Sequence, residues 1–310
     1  MTTPVRILAN FLMAMLILFL IHRYFIFWQG WPNFAESYSA LFASGESAQV
    51  GKPWQAMLVL AGYSATTLTI IILAMKRPDR SLLLDARRYE NWSAYVIRFA
   101  FWSVFLVGIA DTIISSLIIE KVLANVTGSE IASKLGQGRF RGIYVHYPLI
   151  ALSVIIAWRY KGLSVIWLAF LVVIAEFMIV VTRFIFSYEQ AYMGDLVRFW
   201  YAALFLFASA YTLLEEGHVR VDVLYAGFRA RTKAKVNATG SLLLGIPLCF
   251  TILALGLESR QSALSSPIIS FEISQSAYGL FVKYLMAGFL VIFAVSMAMQ
   301  FVSLFLRSSE

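Results

Sequence analysis

Leu163–Phe186 reads LSVIWLAFLVVIAEFMIVVTRFIF, with Glu176 and Arg183 as its only charges. As a helix it is long enough to cross roughly 30 Å of hydrocarbon. Seven comparable runs flank it, at about Ile7–Trp28, Trp54–Met75, Ser93–Ile119, Ile143–Trp158, Leu196–Leu214, Val236–Leu257 and Tyr278–Leu306. The chain is 60% hydrophobic and only 14% charged, with a mean hydropathy of +0.77. A soluble domain carries about a quarter charged residues, so a soluble globular fold is excluded. The expected fold is an all-α polytopic membrane protein of about eight transmembrane helices.

The first run is too long for a signal-peptide core and lacks a small-residue cleavage site, so it is expected to stay as a helix. Cys249 is the sole cysteine and lies mid-span, which excludes a disulfide framework and a thiolate metal site. The net charge of +8 is explained by where Lys and Arg fall, because inner loops of membrane proteins collect them. With the N-terminus inside, the inner segments hold Arg6, Lys76, Arg77, Arg80, Arg87, Arg88, Arg159, Lys161, Arg220, Arg229, Arg231, Lys233, Lys235 and Arg307. The outer loops hold Lys52, Lys121, Lys134, Arg139, Arg141 and Arg260. Both termini are therefore expected to be cytoplasmic. The loop 120–142, with four of the outer positives, fits this least well.

The two halves of the sequence resemble one another. Trp54-x-Ala56-x-Leu58-x-Leu60 matches Trp200-x-Ala202-x-Leu204-x-Leu206, and Thr66 then matches Thr212. GIYVHYPLIALSVIIAW from Gly142 aligns with GLFVKYLMAGFLVIFAV from Gly279, six of 17 positions being identical. The third and seventh runs do not match. The order of the matches points to two parallel four-helix units, 1–160 and 161–310, as tandem repeats of even span number require.

Ionisable residues within spans are costly and are functional candidates. Glu176 lies seven residues before Arg183, on nearly the same helical face. A proton relay would need further ionisable groups along a path, and few exist, so Glu176 is expected to tie α-helices together within this chain or with a partner subunit. Asp111 could pair with a neighbouring Arg or lie near the outer interface, and no role is assigned to it. His22 and His146 lie near the outer ends of their spans, so a bis-His haem is geometrically conceivable. No H-E-x-x-H, Walker A or G-x-S-x-G motif occurs, which argues against an enzyme. No metal or cofactor is expected on the leading reading.

One polar cluster stands out. Glu215–Tyr225 reads EEGHVRVDVLY, followed by Arg229, Arg231, Lys233 and Lys235. Gly217 can end the sixth span, since glycine accepts the left-handed conformation of a helix C-cap, and Asp222 can cap a following helix. Val223, Leu224, Gly227 and Phe228 would face apolar surroundings, so an amphipathic helix along the inner leaflet is expected here. Arg220 and Asp222 could share a network with His218, Glu215 and Glu216.

The run DLVRFWYAALFLFASAYTLLEEGHVRVDVLY, Asp195–Tyr225, resembles the small, DctQ-type membrane subunit of TRAP (tripartite ATP-independent periplasmic) transporters. The resemblance rests on Asp195 with Arg198-Phe199, on His218-Val-Arg220-Val-Asp222, and on Val181-Thr-Arg183-Phe184 upstream. It extends to Ser266-Pro267 and Gly279-x-x-x-Lys283-Tyr284 downstream, covering about 163–306. It implies a non-catalytic small permease subunit in the bacterial inner membrane, part of a sodium-coupled secondary importer of organic acids or related anionic solutes. A large multi-span permease and a periplasmic solute-binding protein would be its partners, and Arg183, Arg198, Glu215, Glu216, His218, Arg220, Asp222 and Tyr225 its structural motif. The first 160 residues exceed the usual four helices. A haem-bearing anchor of an oxidoreductase and a stand-alone transporter of parallel repeats are the alternatives.

Overall fold

A computed structural model of the chain describes residues 2–42, 52–76, 80–162, 166–215, 223–273 and 279–310. The helices are α1 (Thr2–Gln29), α2 (Phe34–Phe42), α3 (Pro53–Met75), α4 (Leu82–Ile119), α5 (Leu123–Thr127), α6 (Ser129–Leu135) and α7 (Gly138–Arg141). They continue with α8 (Tyr147–Arg159), α9 (Ile166–Phe186), α10 (Ala191–Leu214), α11 (Ala230–Gly240), α12 (Ile246–Gly256), α13 (Ser265–Ser270) and α14 (Lys283–Ser308). No strand occurs among the described residues. Eight helices there are long and apolar enough to span a membrane, α7–α8 and α11–α12 each counting as one. The all-helical, eight-span fold expected from the sequence is the one observed.

The joints inside those two composite spans share a cause. Each holds a π-helical turn, Gly142–His146 and Ser241–Gly245, and each turn is followed two residues later by a proline, Pro148 or Pro247. Proline has no N–H to donate, and its ring clashes with the carbonyl four residues back. Those carbonyls belong to Tyr144 and Leu243, the middle of each π turn. Widening the helix there removes the clash and keeps the span continuous.

The span ends differ from the hydropathy reading where polar sequence carries a helix beyond its apolar run. α4 starts at Leu82 rather than near Ser93, because LLLDARRYENW is built of good helix formers. Glu310 helps to start it, its carboxylate accepting from Leu83 N–H at 2.8 Å and from Ser81 Oγ at 2.6 Å. The surface helix expected behind Asp222 is replaced by another arrangement. Residues 223–227 form turns, Arg229 is the extended N-cap, and Arg231, Lys233 and Lys235 ride on α11. ARTKAKVNATG is itself helix-forming and runs into the apolar stretch without a break, so the basic run becomes the start of the seventh span.

By contacts the chain forms two compact units. One comprises Met1–Tyr89, Val221–Phe250 and Phe301–Glu310, the other Glu90–Arg220 and Thr251–Gln300. This partition concerns packing, whereas the relation between 1–160 and 161–310 concerns sequence.

In the first unit, α2 and α3 pack together and α1 lies against α3. The link into α2 is fixed by a reciprocal cap in which Glu36 N–H donates to Asn33 Oδ1 at 2.8 Å and Asn33 N–H to Glu36 Oε2 at 2.7 Å. Asp85 holds Arg6 at 2.7 Å and Arg80 at 2.9 Å, and Arg6 also donates to the Arg80 carbonyl. These contacts gather the ends of α1 and α4 with Glu310 beside them.

The second unit has a core of Phe101, Val104 and Val107 from α4, Leu168, Leu171 and Ala175 from α9, and Leu196, Phe199, Trp200 and Phe207 from α10. Gly108 lets α10 approach α4: a Cβ there would stand 2.6 Å from Trp200 Nε1. The indole N–H donates to the Val104 carbonyl at 3.4 Å.

Candidate functional site

The densest buried polar cluster in the second unit centres on Asp111 of α4, which is fully buried, as are Arg141 and His146. Asp111 Oδ1 accepts from Arg141 Nη1 at 2.8 Å and from His146 Nε2 at 3.0 Å. Its other oxygen accepts from the Phe281 backbone N–H at 2.6 Å. Arg141 Nε donates to the Leu135 carbonyl at 2.9 Å and Nη1 to Ser115 Oγ at 3.0 Å. The guanidinium carbon stands 3.9 Å from the centre of the Phe281 ring. A second carboxylate, Asp195 at the start of α10, accepts from the Leu280 N–H at 3.1 Å. Two aspartates from different helices thus hold two successive N–H groups where the chain enters α14.

Local structure places these groups. The π turn presents His146 to Asp111, and Gly142 allows the close packing beside it, since a Cβ would meet the Phe271 ring at 2.4 Å. His146 Nδ1 lies 2.9 Å from the Tyr284 hydroxyl, with the two rings stacked at 5.9 Å. Asp111 has no proton to give when ionised, so Nε2–H is the donor to it and Nδ1 accepts from Tyr284. The matched segments beginning at Gly142 and Gly279 therefore meet around one carboxylate. A buried carboxylate with a guanidinium, an imidazole N–H and a backbone N–H has its charge satisfied. Its chemistry is that of a clamp.

The haem alternative does not fit. His22 is engaged at both nitrogens, Nε2 donating to the Pro32 carbonyl at 3.0 Å and Nδ1 lying 3.2 Å from Tyr63 Oη. His146 is engaged at both as well. Neither ring presents a free lone pair to iron. Arg141, counted as an outer-loop charge, is instead the buried partner of Asp111, and Lys134 pairs with Glu130 at 2.6 Å. Two of the four positives in the loop 120–142 are thereby neutralised.

The residues singled out in the sequence fall in several places. Glu216, His218, Arg220 and Asp222 lie outside the described residues. Glu215 ends α10, its N–H bonded to the Tyr211 carbonyl at 3.0 Å. Arg198 is largely exposed and pairs with Asp195 at 3.2 Å. Arg183 reaches Glu189 at 3.4 Å. Tyr225 donates to Asn237 Oδ1 at 3.0 Å and carries Lys233 5.3 Å over its ring, so the turn and α11 are joined. Arg229, Arg231 and Lys235 are exposed, as is Glu176. Outside the spans, Tyr188 donates to Glu120 at 2.6 Å, and that bond to a carboxylate raises the pKa of the phenol.

Residues 170–310 match the family described as "Tripartite ATP-independent periplasmic transporters, DctQ component". The match lies wholly within the second half of the chain. DctQ is a component of a transporter and not an enzyme, and residues 170–310 are similar to that component. The match takes in Asp195 and the approach to α14, so the Asp195 clamp lies within the DctQ region. Asp111, Arg141 and His146 lie ahead of it. No curated protein and no solved structure matches the chain.

The Asp111 cluster was missed as a set because its members are far apart in sequence. The available signal was charge balance: Asp111 is the sole acidic residue in its apolar run, so it required a buried cation from another helix.

Proposed function

We propose that the chain is the non-catalytic small permease subunit of a binding-protein-dependent, sodium-coupled secondary importer of organic acids or related anionic solutes. In this reading it sits in the bacterial inner membrane with both termini cytoplasmic, braces a large multi-span permease, and works with a periplasmic solute-binding protein. The DctQ match over 170–310 carries the assignment. The closed Asp111 cluster agrees with a bracing role, because a carboxylate already held by Arg141, His146 and Phe281 N–H is occupied structurally. The N-terminal residues 1–160, a diverged copy of the same four-helix unit, enlarge the contact with the permease or the lipid.

Co-purification tests the assignment. A tagged chain in its native membranes should recover a large multi-span permease, and the chain alone in liposomes should transport nothing. In the motif His218-x-Arg220-x-Asp222, replacing Arg220 or Asp222 should lower complex yield before it alters apparent solute affinity. An intact complex with changed affinity would place the motif in solute handling instead.

A further inference from the structure

Glu176 lies midway along α9, and its side chain is exposed among exposed apolar ones, Phe170, Val173, Phe177 and Val180. The helix buries a single stripe, Leu168, Leu171 and Ala175. Glu176 has no hydrogen bond or ion pair among the described residues. The one cation on nearly the same face, Arg183, is about 10 Å further along the axis and is paired with Glu189. An exposed carboxylate at that depth faces hydrocarbon in an isolated subunit, where a charge is costly unless it is neutralised or paired. The exposed face is thus apolar with one acidic group at its centre. Its complement is a second apolar helix with one basic group.

We infer that this face of α9 packs against a transmembrane helix of the large permease subunit that presents a basic side chain to Glu176. The inference rests on the function proposed above. Interhelical polar contacts in membranes contribute modestly to association, so loss of this one corresponds to about a three- to tenfold fall in assembly. Apolar packing on either side supplies the rest.

The test uses the full chain co-expressed with its permease, carrying a photoactivatable aryl ketone at Val173 or Phe177, with Leu68 of α3 as the comparison site. Irradiation should join the Val173 and Phe177 positions to the permease. Glu176→Leu should reduce recovered complex about three- to tenfold, while the isolated variant stays monodisperse in detergent. Adducts confined to lipid or to a second copy of this chain overturn the inference, as does full assembly by Glu176→Leu. A wild-type chain that recovers no permease overturns both this and the proposed function. Recovery of permease without adducts at Val173 and Phe177 overturns the docking face alone.

Discussion

Asp111 and Glu176 are both carboxylates within apolar helices, yet their surroundings are opposite. Asp111 is fully buried and has an arginine, a histidine and a backbone N–H around it. Glu176 is exposed and has no partner among the described residues. The first has its compensation inside the fold, so its role is to hold helices of this chain together. The second lacks compensation, and its role depends on what lies beyond the fold. The two intramembrane carboxylates therefore differ in whether their compensation is found among the described residues.

That contrast can be broken experimentally. Asp111→Ala should cause the largest loss, because it leaves Arg141 buried without its counter-charge. Such losses run to about 3–5 kcal/mol, to be read as a lowered unfolding temperature in detergent. Adding Arg141→Met should recover part of it by removing the unpaired buried charge, the His146 and Phe281 N–H groups staying without their acceptor. No recovery would show that Arg141 has work beyond pairing. His146→Phe should cost less, about 1–3 kcal/mol, by stranding the buried Tyr284 hydroxyl and one bond to Asp111. Because it spares the charge pair, complex assembly should survive it at lowered temperature. Arg198→Ala tests an exposed pair and should cost under about 1 kcal/mol. Glu176→Leu should change the unfolding temperature of the isolated chain least, within about 0.5 kcal/mol. A loss comparable to Asp111→Ala would mean that Glu176 has an internal partner and would erase the distinction.

How much of this was legible in the sequence depends on the range of the interaction. The spans were, because membrane crossing demands a long continuous apolar run, and LSVIWLAFLVVIAEFMIVVTRFIF announces itself. The two π turns had a local signal in Pro148 and Pro247, although proline alone does not tell a kink from a widened turn. The start of α4 at Leu82 was hidden, since its first turns are polar and hydropathy is silent about them. The helix expected over 223–235 failed for a related reason: amphipathic spacing cannot say whether a basic run lies beside a span or begins it. The Asp111 clamp joins residues from 111 to 284, and only charge balance hinted at it. Asp195 was legible as part of a family pattern, while its bond to the Leu280 N–H needed coordinates.

The claim that this chain acts as a bracing subunit is tested most directly by affinity purification of the tagged full chain from its native membranes. A large multi-span permease should be recovered in fixed proportion, with no solute uptake by liposomes containing this chain alone. Uptake by those liposomes, with no permease recovered, would contradict it.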